Sequence, residues 1–537
     1  MKTHNIFIVL VLFQFQSSFS QVWPKIFEGQ SSYWCHGFIE SYDKGYVIDI
    51  QVDPGTYVPQ MHAKLIKTDI NGNQLWVKTF SSFSYQVAFN GIDNTSDGGI
   101  IVTGVTTKLD SSNYDILLMK FNSCGDKEWC NIISTPGNDD YGVKIKRVSD
   151  GYLALIAYYQ DWMIKRIWLF KLNLTGDIQW EQLINQNGDY IQNSDGYDLL
   201  KASGNNFLIT GDGYDGSPGQ TYYLRPLIIK TDSNGNVLWQ ISFGHTDGFR
   251  GNGTVCPQEN QAGFYYMAVS HFRDTSPYGD SPCFLKVSPN GQEDYYKDLI
   301  SNSISGGSST LNLKNFDSLF ISASWTDVNN ISNIGIFKSD TLGNITKTKI
   351  IFQNVPYEIS SALFTYDDMY LAIGDINPSL TTTKTYLYKF TSNLEYAPLN
   401  TQPRTYDSLC PHPIVSDTTS LDDCAVITDV RDPIIHLEKT QLHIYPNPAK
   451  NAITIEMPQK LIRQSSGYGV TATTYYHQWN TTTLEIYDLF GKLMYSKEIP
   501  KKTEKVEMDV TSWHEGMYVA RVVFMNEVVA GEKFVVQ

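Results

Sequence analysis

The 537-residue sequence predicts an all-β protein, a seven-bladed β-propeller followed by a small Ig-like β-sandwich. Three observations predict it. A unit of about fifty residues recurs seven times, which is the period of propeller blades. Each copy breaks into short apolar runs, around a Gly turn in six of the seven, with no helical periodicity between them. After residue 440 a different set of alternating runs begins.

The opening "MKTHNIFIVLVLFQFQSSFS" places Lys2 before an apolar run from Ile6 to Phe15, then Ser18 and Ser20 before Gln21. This is the layout of an export signal over 1–20, with an apolar run too short to span a bilayer. The residue after the cut is Gln and not Cys, which argues against a lipid-anchored amino terminus. Across the whole chain 41 basic and 56 acidic side chains leave a net charge of −15. Nucleic acid, which needs a basic surface, is therefore excluded as a partner.

The repeat is clearest in "AKLIKTDINGNQLWVKTF" from 63, "ILLMKFNSCGDKEWCNII" from 116, "IWLFKLNLTGDIQWEQLI" from 167 and "PLIIKTDSNGNVLWQISF" from 226. An apolar strand ends in Lys, a Gly turn follows, and a second strand carries Trp. Weaker copies begin at 282, 334 and 385, so the marker lysines are Lys67, Lys120, Lys171, Lys230, Lys286, Lys338 and Lys389. Asn-Gly in two of the turns supplies the positive-φ residues of a tight hairpin. Residues at one place in every blade are assigned to blade packing, with the lysine stems lying on apolar surface. The "DINGN" and "DSNGN" turns resemble a calcium loop only loosely, because Gly falls at the fourth place and no Glu stands at the twelfth.

In the seventh copy the Gly position is Leu394 and the Trp position is Pro398, so that blade lacks its own outer strand. The stretch "VWPKIF" at 22–27 matches "LWVKTF" at 75–80. The propeller is therefore expected over 21–402, closed by an amino-terminal strand at 22–28 that covers an otherwise open sheet edge.

Residues 403–440 break the period and, with "SDTTSLDDC", suit a polar linker. Of the seven cysteines, Cys410 and Cys424 lie in this stretch; pairing them would close a loop of about 15 residues, worth about 3 kcal/mol. Cys124 with Cys130 and Cys256 with Cys283 are the next pairings, leaving Cys35 over. No Cys-x-x-Cys or clustered His marks a zinc site, and no metal or cofactor is expected.

From 441 to 537, alternating apolar residues and Gly or Pro turns suggest the sandwich. Here Pro446, Asn447 and Pro448, then Tyr487 and Asp488 with Gly491 and Lys492, then Gly516 and Tyr518 and a terminal Lys533, occur in order. That ordered set closely resembles the type A C-terminal sorting domain of type IX secretion substrates. The resemblance implies passage of the inner membrane by the signal peptide, then of the outer membrane by a translocon that reads this domain. The product would be secreted from, or attached to the surface of, a Gram-negative bacterium. An insertion at 459–481 departs from the pattern and leaves the strand register open. The propeller also resembles repeat-bearing cargo in which "DGG" and "K.D..G...W" elements recur.

Function in propellers usually lives on one face, and the connections between second and third strands are the longest here. Each contains an Asp, and aromatic residues recur among them: Tyr57, Tyr114, Tyr159, Trp162, Tyr214, Tyr222, Tyr278 and Trp325. Rings beside carboxylates are what sugar binding needs, and this face is read as the binding surface for an extracellular glycan or protein, without catalysis. The alternative is a glycan-degrading enzyme that uses loop carboxylates as acid and base. No nucleophile elbow or His-Glu-x-x-His motif is present.

Overall fold

The computed structural model describes residues 23–537 except 30–31, 54–60, 83, 109–112, 136–138, 161–163, 185–190, 216–222, 244–254, 274–275, 354–358, 377–382, 428–439, 458–481, 490, 501–502 and 525–526. The expected export signal and the insertion at 459–481 fall outside the described residues.

Every repeat copy folds as a four-stranded antiparallel meander. Counting from the inside, the blades span 32–81, 85–133, 139–184, 191–242, 255–298, 303–353 and 359–390. The seventh takes its outer strand from the amino terminus: Lys25–Phe27 pairs antiparallel with Lys384–Phe390, Ile26 opposite Tyr386. The first-to-second and third-to-fourth strand turns lie at one end of the meander, the other connections at the opposite end. All seven inner strands carry a register shift, for example between Gly142 and Lys144 and between Gly196 and Asp198. Such bulges bend a strand and re-aim a side chain.

The Trp and Gly of the repeat serve one contact, made between blades. An added Cβ on Gly125 of blade 2 would sit 3.1 Å from the Trp76 ring of blade 1. The same relation links Gly176 to Trp129, Gly235 to Trp180 and Gly291 to Trp239. Each of these glycines has φ between 76° and 87°, so the turn and the close approach both exclude a side chain. Trp23 completes the series by covering Gly72 of blade 1, and it is fully buried between blades 7 and 1.

The marker lysines do more than lay their stems on apolar surface. Lys67, Lys120, Lys171 and Lys389 reach the Asp of the first turn in their own blade, Asp43, Asp97, Asp150 and Asp367, at 2.6–2.9 Å. The pairs tie the third strand to the inner hairpin at the short-turn end.

As far as Ile427, the expected linker is instead a strap bound to the propeller. Tyr406 accepts a hydrogen bond from the Ile70 amide, and the Asp407 carboxylate accepts one from the Trp76 indole at 3.2 Å. Asp417–Ser420 then pairs parallel with the outer strand of blade 1, and Ala425–Ile427 pairs parallel with that of blade 2. Leu421 buries itself in the core shared by these blades. The polarity of this stretch matches lysines and open strand edges: Asp417 meets Lys78 at 2.9 Å, and Asp423 pairs with Lys127.

The cysteine pairings are corrected with it. Cys410 does not join Cys424, nor Cys124 join Cys130; the bonds are Cys124–Cys410 and Cys130–Cys424. Both blade cysteines lie on the outer hairpin of blade 2, and the strap brings one partner to each. Cys35, Cys256 and Cys283 remain free thiols.

The carboxy-terminal unit is two sheets, one of five strands ordered 440–441, 527–536, 516–524, 482–488, 493–499 and one of three ordered 443–445, 452–456, 505–509. Leu442, Ile453, Ile455, Leu484, Ile486, Ala520, Val522 and Phe534 fill the space between them.

Candidate functional site

At the long-loop end, Tyr141 lies near the start of the first strand of blade 3, Asp139–Val148, and Tyr159 near the end of its second, Gly151–Gln160. Their rings stack at 5.5 Å and their hydroxyls lie 2.8 Å apart. Lys165 is the cross-strand partner of Tyr159, and its ammonium lies 5.0 Å from the Tyr159 ring centroid. Blade 4 supplies the acceptor: the Tyr159 hydroxyl donates to Asp195 Oδ1 at 3.1 Å and Lys165 to Oδ2 at 2.5 Å.

Asp195 stands directly opposite Asp212 on the first two strands of blade 4. Two carboxylates so placed repel. The repulsion is offset on one side by Lys165 and Tyr159, and on the other by Tyr197, whose hydroxyl donates to Asp212 at 2.7 Å. Tyr197 sits in the bulge of its strand, which explains how a residue of the inner strand presents an exposed ring.

The phenols are locked as donors. Burial and the neighbouring Asp195 push Tyr159 far above the usual phenol range, and burial and Asp212 do the same for Tyr197. Burial opposes charge on Lys165, yet the hydrogen bond and the charge of Asp195 raise it overall. None of the three is set up to give or take a proton near neutrality. The arrangement offers ring faces, carboxylate acceptors and one cation, all pre-positioned.

Of the residues singled out from sequence, Tyr159 lies in this cluster. Tyr114 starts the third strand of blade 2 and is exposed, its amide donating to Asp139. Tyr278 precedes the third strand of blade 5 and is 67% exposed. Trp325 is not a surface platform: it is 8% exposed, packed 5.5 Å from Phe337 and held under Gly306 and Gly335. It lies within the second strand of blade 6, Ser318–Asp327, where a large ring fills the space above two glycines. Tyr57, Trp162, Tyr222 and the side chain of Tyr214 fall outside the described residues.

Tyr141, Asp195, Tyr197 and Asp212 escaped sequence reading because three of them lie on inner strands, not in the long connections. A signal existed in "DDYGVK" at 139 and "SDGYDL" at 194, where consecutive blades open with Asp, Gly and Tyr.

A second polar group lies at the inner strand of blade 1. Asp49, on the second strand, is 1% exposed; its Oδ1 accepts the His36 and Gly37 amides of the inner-strand bulge at 3.1 and 2.7 Å, while its Oδ2 has no partner among the described residues. Burial lifts this carboxyl from 3.8 to about 7. The folded chain therefore holds a proton that the unfolded chain releases. The associated stability is fully present below about pH 4 and is lost as pH rises through about 7. Asp49→Asn keeps the acceptor and removes the titration. Its denaturation midpoint is expected to stay level over that window while the parent loses about 2–4 kcal/mol; parallel pH profiles for the two proteins would refute this.

In the sorting motif, the Asn447 side chain donates to the Lys533 carbonyl at 3.2 Å and accepts the Val535 amide at 2.9 Å, clamping the last strand. Asp488, Gly491 and Lys492 form a turn, with Gly491 at φ 79° and the Lys492 amide on Asp488. Tyr487 receives a hydrogen bond from Arg521, Gly516 opens the next strand opposite Val536, and Tyr518 stacks on Phe534. Pro446 and Pro448 flank the clamp.

Residues 443–537 match the secretion system C-terminal sorting domain family. This marks the chain as a type IX secretion substrate, secreted or held at the outer surface. No curated protein sequence matches the chain. Among solved structures it is similar to an ulvan lyase with bound saccharide (9% identity, 68% of this chain and 95% of that one, TM-score 0.46). It is also similar to a further polysaccharide lyase (8%, 67% and 90%, 0.41) and to an α-L-arabinofuranosidase of Fusarium graminearum (10%, 55% and 91%, 0.35). At such identities the likeness concerns the fold and not the side chains of a site. No helix among the described residues is long and apolar enough to cross a membrane.

Proposed function

We propose that the propeller binds an extracellular saccharide, without catalysis, at the long-loop end between blades 3 and 4, and that the carboxy-terminal unit delivers it outside the cell. The observation that carries this reading is Tyr197, an exposed ring fixed by Asp212 beside the Tyr141–Tyr159–Asp195–Lys165 network. A sugar ring needs an apolar face to lie on and fixed acceptors for its hydroxyls; both are present and already ordered, which lowers the entropy cost of binding. The proton-locked phenols favour binding over acid–base chemistry.

The test is a glycan array probed with the mature chain, with the supernatants analysed for released sugars. Binding is expected without product, and Tyr197→Ala should weaken it at least about tenfold, or about 1.4 kcal/mol, at a stability cost limited to the lost Tyr197–Asp212 hydrogen bond, about 1–2 kcal/mol. Released product would replace the reading with the glycan-degrading one and point to Asp195 and Asp212. Binding indifferent to Tyr197→Ala would move the site elsewhere.

A further inference from the structure

The strap's first crosslink has a third ligand-type side chain beside it. Cys124 is buried in the outer hairpin of blade 2, Cys410 is half-buried and His412 is exposed; their two sulfurs and one imidazole nitrogen lie within 4.8 Å of one another. Among the described residues no other group of Cys, His, Asp and Glu meets that spacing, and the Cys130–Cys424 bond has no such neighbour. Cys410 Sγ is 3.7 Å from His412 Nδ1. A tetrahedral zinc ion, with bonds of about 2.3 Å to sulfur and about 2.0 Å to nitrogen, separates sulfur and nitrogen by about 3.5 Å and two sulfurs by about 3.8 Å. The sulfur–nitrogen spacing already fits, and two unbonded sulfurs must separate by about that much in any case.

We infer that Cys124, Cys410 and His412 form a binding site for a soft divalent cation of the zinc class in the chain whose cysteines are still thiols. The cation docks the strap on blade 2 before the crosslink exists. Loading takes one proton from each thiol, so two thiols and one cation give a bis-thiolate complex and two protons. Exposed His412 leaves a coordination position open to water, as in three-ligand sites. Later closure uses a disulfide-donating oxidant: the two thiolates lose two electrons and form the Cys124–Cys410 bond, the donor's disulfide takes up two protons and leaves as two thiols, and the cation is released. The site is therefore transient by construction.

The mature chain is reduced with a phosphine, which becomes its oxide by taking oxygen from water, and is then freed of reductant without air and titrated with Co²⁺. One ion per chain is expected, with thiolate-to-cobalt absorption that Zn²⁺ abolishes and that the oxidised chain never shows. Cys410→Ser should lose the absorption, and its fold can be checked in the oxidised form, where Cys130–Cys424 remains. His412→Ala should bind at least tenfold more weakly. Absence of the absorption in the reduced parent overturns the proposal. Its persistence in Cys410→Ser assigns it to other thiols, the reduced Cys130 and Cys424 pair first among them, and overturns it equally, while full affinity in His412→Ala removes the histidine and with it the site.

Discussion

Replacing Cys124 and Cys130 together by Ser is expected to destabilise the chain far more than the two single replacements added together. The bonds span 286 and 294 residues, and both run between the same two short segments. Either one alone closes the large loop, worth about 5.7 kcal/mol in the chain-entropy model. Once it is closed, the other bond encloses only about 22 residues and adds about 3.4 kcal/mol. Each single variant should therefore cost about 3 kcal/mol, and the double variant about 9 kcal/mol. Denaturant titrations of the parent, both single variants and the double variant check this. Equal, additive losses would show that the strap does not act as one element. If the double variant does not fold, reduction of the folded parent gives the same comparison through its unfolding rate.

Trp23→Ala should cost about 3–5 kcal/mol, the range for removing a fully buried large side chain that the surroundings cannot refill. The loss is expected to be local in origin. Trp23 covers Gly72 of blade 1, while Lys25–Phe27 completes blade 7 through only three paired residues. Without the ring the strand keeps only Phe27 in the core and the polar contacts of Lys25 and Glu28, so amide exchange in Lys384–Phe390 should rise well before global unfolding. Trp129→Ala, at a half-buried ring that meets Gly176 in the same way, should cost less and leave that exchange unchanged. Exchange at Lys384–Phe390 that is equal in both variants would refute the closure role of Trp23. The strap does not replace this seam, since its described strands pair with blades 1 and 2.

The two predictions concern two different closures, and sequence revealed only one of them. Trp23 was legible because it belongs to a repeated pattern: "VWPKIF" matches "LWVKTF", and a missing strand at one end of the array asks for one at the other. The disulfides were not, because pairing by sequence distance favours the short loop of Cys410 with Cys424. The chain takes the long one because Asp407, Asp417 and Asp423 find lysines on blades 1 and 2, and a polar composition suits such partners as well as it suits water. Likewise the sequence around Trp325 suggests a loop platform, whereas its strand extends to Asp327 and the ring packs against two glycines.

Sequence by itself determined the all-β class, the blade unit, the amino-terminal strand of blade 7 and the export role of the last hundred residues. Those are carried by periodicity and by ordered motifs, which are local along the chain. Only the tertiary structure decided the strap, the crosslinks and the cluster of Tyr141, Tyr159, Lys165, Asp195, Tyr197 and Asp212. Their members come from different blades or from opposite ends of the chain, and what joins them is a pairing of charges and hydrogen-bonding groups across space. That pairing exists only after the ring has closed.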